Sequence, residues 1–137
     1  MPLDPALVED TRAWLTKALM DLRAADILLR AAPPLLGNVV FHSQQAAEKA
    51  LKAFLAWHDE PFRKTHNLEE VGRQTLPFDT TLRALVGRAG GLTEYAWKYR
   101  YPGEPKEPRL SEAEAALALA REIYEAIIAR LPAEVRP

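Results

Sequence analysis

The sequence predicts an all-α fold: an up-and-down four-helix bundle with an additional short helix between the second and third long helices. Proline placement, helical periodicity of apolar residues and the lack of any strand pattern predict it. Proline inside a helix removes a backbone hydrogen bond and clashes with the preceding turn, so helices fit between prolines. The eleven prolines stand at 2, 5, 33, 34, 61, 77, 102, 105, 108, 132 and 137, leaving long windows at 6–32, 35–60, 78–101 and 109–131 and a shorter one at 62–76. No window alternates apolar and polar residues with β-branched enrichment, as a half-buried strand would. Connections of a few residues favour antiparallel neighbours.

In the first window Leu15, Leu19, Leu22 and Leu29, with Ala18 and Ala25, recur at helical spacing, while Lys17, Asp21 and Arg23 fall outside the stripe. The second window carries Val40, Gln44, Ala47, Leu51 and Phe54 on one stripe and Phe41, Gln45, Glu48, Lys52 and Leu55 on its neighbour. The short window opens Thr65-His66-Asn67-Leu68-Glu69-Glu70, where Asn67 and Glu70 have capping spacing, so a helix is expected over roughly 67–75. Leu82, Leu85, Ala89, Leu92, Ala96 and Tyr99 mark the third long helix. Gly87, Gly90 and Gly91 weaken it by about 1 kcal/mol each relative to alanine, and a bend or break is expected near Gly90. The last helix opens on Ser111-Glu112-Ala113-Glu114, a predicted capping box, and Leu117, Ala120, Tyr124, Ile127 and Leu131 mark its buried face.

At 137 residues the chain is read as a single domain, 1–137, with its core at about 10–131. The 18 Lys+Arg and 19 Asp+Glu nearly balance, so bulk charge selects no partner. The absence of cysteine excludes disulfides, thiolate nucleophiles and cysteine metal sites. No apolar run is long enough for a membrane span, and Met1-Pro2-Leu3-Asp4 lacks the order of a signal peptide, so no membrane association and a cytoplasmic location are expected. His42, His58 and His66 lack metal-site spacing, so no metal and no cofactor are expected. The only serines are Ser43 and Ser111, and no Gly-rich phosphate loop precedes a helix, which excludes Rossmann and P-loop enzymes.

Two segments break the apolar pattern. Gln44, Gln45, Glu48 and Lys52 lie on or beside the apolar face of the second helix. On one reading the glutamines bond across helices and Glu48 and Lys52 form a surface pair. On the other, the strip lines a cleft or subunit interface, with alanines 46, 47, 50, 53 and 56 admitting a partner helix. The second segment, Tyr95-Ala96-Trp97-Lys98-Tyr99-Arg100-Tyr101-Pro102-Gly103, ends a helix with two cations and a stop signal. An arginine between two tyrosines can also hold phosphate in its planar fork while bases stack nearby.

Phe41-His42-Ser43-Gln44-Gln45-Ala46-Ala47-Glu48-Lys49-Ala50-Leu51-Lys52-Ala53, Thr65-His66-Asn67-Leu68 and Tyr99-Arg100-Tyr101-Pro102 together resemble the HEPN domain (higher eukaryotes and prokaryotes nucleotide-binding). The resemblance runs from about residue 10 to 131. It implies a helical bundle that pairs as a homodimer, often encoded beside a minimal nucleotidyltransferase, and in many such pairs a ribonuclease toxin with its antitoxin. The family's nuclease signature is an arginine followed after four to six residues by a histidine. Arg100 matches that arginine, but the histidine positions hold Pro105, Lys106 and Glu107, and no histidine follows His66. The family's modified tyrosine two places further on is also missing, where Glu107 and Pro108 stand, leaving Tyr99 and Tyr101 as other acceptors. Metal-free RNA cleavage needs a proton-transfer group near neutral pKa, which arginine is not.

Three functions follow as expectations. The first is a HEPN-like dimeric module that binds a nucleotide, RNA or a nucleotidyltransferase partner through Gln45, Glu48, Lys52, His66, Arg100 and Tyr101, without catalysis of its own. The alternative is an RNase toxin with a diverged motif, in which Arg100 is catalytic and His66 or Glu48 handles protons. The third is a structural dimerisation scaffold.

Overall fold

The computed structural model describes residues 2–103 and 106–137. Its elements are α1 (Pro5–Arg30), α2 (Leu36–Trp57), α3 (Leu68–Thr75), a 3₁₀ turn (Thr80–Leu82), α4 (Arg83–Ala89), a 3₁₀ helix (Gly90–Ala96), α5 (Leu110–Ile128) and a last 3₁₀ turn (Ala133–Val135). No strand occurs among the described residues, and no helix is long and apolar enough to cross a membrane.

Asp4 caps α1 by accepting the Ala6 N–H at 2.9 Å, and Pro5 takes the first helical position, where its missing N–H costs nothing. The buried residues of α1 are Thr11, Leu15, Ala18, Asp21, Leu22 and Ala25. Leu19, expected on that stripe, is 42% exposed, whereas Asp21, expected outside it, is buried. The face follows 11, 15, 18, 22, 25, which leaves position 19 at its edge. Asp21 is covered because two side chains of α2 bind it.

Helix α2 packs against α1, α3, α5 and the long 3₁₀ helix, so it is buried on nearly every side. Alanines 46, 47, 50 and 53 are fully buried, so their small side chains serve close packing inside this chain. Helix α3 starts where expected, Asn67 accepting the N–H groups of Glu69 (3.0 Å) and Glu70 (3.2 Å). The Glu70 carboxylate turns instead to Arg63, bidentately at 2.7 and 2.8 Å, and the Asn67 N–H donates to Thr65 Oγ1 at 3.1 Å. A Cβ on Gly72 would stand 2.6 Å from Val86 Cγ1, so glycine lets α3 lie directly on α4.

The third long window holds a 3₁₀ turn, a seven-residue α4 and a seven-residue 3₁₀ helix in place of one long α-helix. The change falls at Gly90, as the glycines predict. Three residues per turn then put Ala89, Leu92 and Tyr95 on the buried face, where a 3.6-residue period had indicated Ala96 and Tyr99. Helix α5 begins at Leu110 with Arg109 as its uncapped N-cap, so Ser111 already lies inside the helix and the expected capping box does not form. Pro108 and the extended Arg109 start the helix one turn position early, and Glu112 is drawn to two tyrosine hydroxyls. Leu117, Ala120, Tyr124, Ile127 and Leu131 are all buried, as their spacing predicts.

Candidate functional site

The polar strip of α2 is satisfied within the chain. Lys52 Nζ lies 3.0 Å from Glu48 Oε2 with side-chain exposures of 7% and 5%, so the pair expected at the surface is buried. Glu48 Oε1 accepts from Gln44 Nε2 at 3.1 Å and from His66 Nδ1 at 2.8 Å, and Gln45 Nε2 donates to Gln44 Oε1 at 2.7 Å. Gln44 also donates to the His66 carbonyl and Lys52 to the Thr65 carbonyl, each at 3.1 Å. Trp14 and Phe62, packed edge to face at 5.7 Å, cover the ammonium from 5.8 and 5.5 Å. The network therefore ties the segment before α3 to α2. His66, its side chain 62% exposed, is held by Nδ1 with the rest of its ring outward.

Arg100 reaches the same stripe one turn before Gln45. Its Cζ lies 3.8 Å from the centre of the Phe41 ring, and no carboxylate pairs with it among the described residues. Several contacts hold the loop that presents it. Tyr95 and Tyr99 stack at 6.2 Å and donate to Glu112 Oε2 at 2.5 and 3.3 Å. Burial first, then the Glu112 carboxylate, pushes the Tyr95 hydroxyl up, which keeps it a donor. Tyr99 adopts φ 67°, a left-handed conformation that turns the chain toward Phe41. On the far side, Glu107 Oε2 accepts the Gly37 N–H at 2.8 Å. A Cβ on Gly37 would meet that oxygen at 3.0 Å and Tyr99 at 3.4 Å, so a larger residue there would push the Glu107 carboxylate aside. Lys98 is occupied by Glu94 at 3.2 Å, whereas Tyr101 is 74% exposed. Pro105, the first of the three positions where a nuclease histidine would stand, lies outside the described residues.

Phe41 and Glu48 are about 10 Å apart along the helix at 1.5 Å per residue, which sets the spacing of the Arg100 and His66 positions along it. A cavity of about 390 Å³ opens at Phe62, beyond the Lys52 end of the strip, but Asp10, Asp59 and Glu60 in its lining repel phosphate.

Sequence reasoning passed over a second cluster. His42 Nδ1 lies 2.8 Å from Asp21 Oδ1, and Lys49 Nζ lies 2.6 Å from Asp21 Oδ2. Burial pushes the Asp21 carboxyl up, but hydrogen bonds from His42 and Lys49 and the Lys49 charge outweigh it, leaving the group below the usual carboxylate range. The only sequence signal was His42 and Lys49 seven apart on α2, two turns on one face. Their common partner sits on another helix.

A family model for the HEPN domain matches residues 11–131. No curated protein and no solved structure matches the chain significantly. The matched span takes in α1 from Thr11 onward, the whole α2 strip, the His66 tie and the Arg100 loop. With a match over most of its length and the all-helical architecture described above, this chain belongs to the HEPN domain family.

Proposed function

We propose that this HEPN chain is a module that binds a nucleotide or RNA, with Arg100 taking the phosphate and Tyr101 stacking on a base. The observation that carries the reading is the Arg100 guanidinium carbon lying over the Phe41 ring, 3.8 Å from its centre, without a carboxylate partner among the described residues. A guanidinium so placed is pre-oriented and keeps its N–H fork for a phosphate, the ligand it matches bidentately. An exposed tyrosine beside it offers a face to any base. Gln45 and His66 extend the surface along α2, and Glu48 and Lys52 act from beneath by fixing them. Membership of the HEPN family supports a nucleotide- or RNA-related role in general. The homodimer, the minimal nucleotidyltransferase partner, a toxin–antitoxin setting and a cytoplasmic location belong to the same proposal and rest on the family resemblance.

Titration of a fluorescent single-stranded RNA, followed by anisotropy at fixed salt, tests the reading. Arg100→Ala is expected to weaken binding about 10- to 100-fold, the range of a charge-assisted hydrogen-bond pair. It should also flatten the dependence of affinity on salt by about one unit of slope. Equal affinity for wild type and Arg100→Ala would remove Arg100 from the site, and with it the reading.

A further inference from the structure

Helices α1 and α5 both pack on α2, and between them a groove of about 230 Å³ stays open. It lies on the side of α1 turned away from Asp21, which faces α2. Along its α1 rim Leu19, Arg23 and Ile27 follow one another in four-residue steps, with Met20 beside them. Leu19 is 42% exposed, Met20 56% and Ile27 54%, three large apolar side chains within about two turns of one helix. Single exposed apolar residues are ordinary, but a row of them beside a groove marks an interaction surface. Tyr124 of α5, only 5% exposed, lines the groove, and its hydroxyl has no hydrogen-bond partner among the described residues. That hydroxyl is not sealed in, since the only fully enclosed oxygen without a partner there is Thr11 Oγ1. Burial, then the Glu125 charge, pushes the Tyr124 hydroxyl up, so it is an unspent donor.

We propose that this groove seats an acidic amphipathic helix of a partner protein. A two-turn apolar seam on a helix suits one partner helix whose own apolar residues recur at three- and four-residue steps. The charges around it choose the sign of that helix. Asp26 is engaged by both Arg30 and Arg121, the latter at 2.8 Å, while Arg23 in the middle of the row has no carboxylate partner among the described residues. With Glu125 on the α5 rim, three guanidiniums stand against two carboxylates, and the buried donor on Tyr124 adds to the demand for an acceptor. A glutamate or aspartate of the incoming helix can pair with Arg23, and a second acceptor can take the Tyr124 proton. A second copy of this chain fits less well: packed two-fold through the same row, it would set Arg23 against Arg23. A nucleic acid would leave the three apolar side chains facing a polyanion. The groove is separate from the Arg100 site, so the inference does not rest on the reading of that site.

The probe is a synthetic helical peptide of about 14 residues, four turns, with leucine at the a and d positions of each heptad and glutamate elsewhere. A twin carries lysine in place of every glutamate. Each is titrated into the isotope-labelled full chain, with affinity read by anisotropy and the site by NMR shifts. The acidic peptide should bind about 10-fold or more tightly than its twin and shift the amides of residues 19–27 and 121–125 first. Met20→Ser and Ile27→Ser, both at exposed positions that leave the core intact, should each weaken it about 10-fold. Tyr124→Phe, which removes only the hydroxyl, should weaken it about 2- to 10-fold. Arg23→Glu should reverse the preference toward the lysine twin, which a loss of folding could not do. Arg100→Ala should bind the acidic peptide as wild type does. Equal affinity for the two peptides, shifts that fall elsewhere on the chain, or an Ile27→Ser variant that binds like wild type overturns the proposal. So does sedimentation equilibrium in which wild type self-associates and Ile27→Ser does not, because the groove is then filled by a second copy.

Discussion

Glu48→Ala is expected to lower the stability of this protein by about 3–5 kcal/mol, the cost of leaving a buried charge without its partner. Glu48 accepts from Gln44, Lys52 and His66, and both it and Lys52 are almost fully shielded from water. Without it, the ammonium retains only the Thr65 carbonyl and the faces of Trp14 and Phe62. Thermal unfolding followed by circular dichroism should show a Tm lower by roughly 10–20 °C. Replacing both members, as Glu48→Leu with Lys52→Met, should recover most of the loss, because an apolar pair of similar volume needs no desolvation of charge. A single variant that melts with the wild type would mean that Lys52 is not enclosed in solution.

Phe54→Ala is expected to cost about 3–5 kcal/mol as well, through a cavity in the core, since the ring is only 2% exposed. It should also change a titration. His58 lies 4.6 Å from Phe54 and stacks on Phe78 at 4.5 Å. Burial holds its imidazole below the ordinary 6.5, with the Asp79 charge pulling the other way. Between that lowered value and 6.5 the unfolded chain binds more protons than the folded one. Stability is therefore complete above pH 6.5 and falls as pH drops through the folded value. Removing one wall of the sandwich admits water, so the His58 pKa should return toward 6.5 and this acid-side loss should shrink. An NMR titration of the imidazole in both proteins checks the shift. An unchanged His58 titration in Phe54→Ala would show that Phe78 and the helix end alone exclude the water.

The helices were legible because prolines bound them and apolar residues pattern them. Every residue of the Val40–Phe54 stripe of α2 and of the Leu117–Leu131 stripe of α5 is buried, although both helices bury further residues beside them. Two local readings failed for one physical reason: each assumed a property of a single element that a second element determines. Lys52 is buried because Trp14 and Phe62 cover it. Asp21 is buried because α2 supplies His42 and Lys49. The Ser111–Glu114 capping box failed for a local reason, since α5 starts at Leu110 behind the extended Arg109 and Ser111 is already inside it. The Ala89–Leu92–Tyr95 face was misread because its period is three, and no composition signal separates a long 3₁₀ run from an α-helix weakened by glycine. At the candidate site, family resemblance singled out Arg100, and chemistry singled out the α2 strip. The Phe41 ring between Arg100 and His42 could not be foreseen, because it depends on how a loop after the long 3₁₀ helix folds back over α2.

The seven-residue 3₁₀ helix gives the Arg100 loop its own local opening equilibrium. Bonds of the i→i+3 type have poor geometry, and runs beyond three or four residues are uncommon. Gly90–Ala96 is held in place chiefly by Leu92 and Tyr95, the two side chains it buries. Its amides should exchange with solvent hydrogen well before those of α2 and α5, whose opening requires the whole bundle to unfold. A polyanion settling on Arg100 would then slow exchange in this segment first, and the free energy of ordering it would be deducted from the affinity that the guanidinium alone could provide.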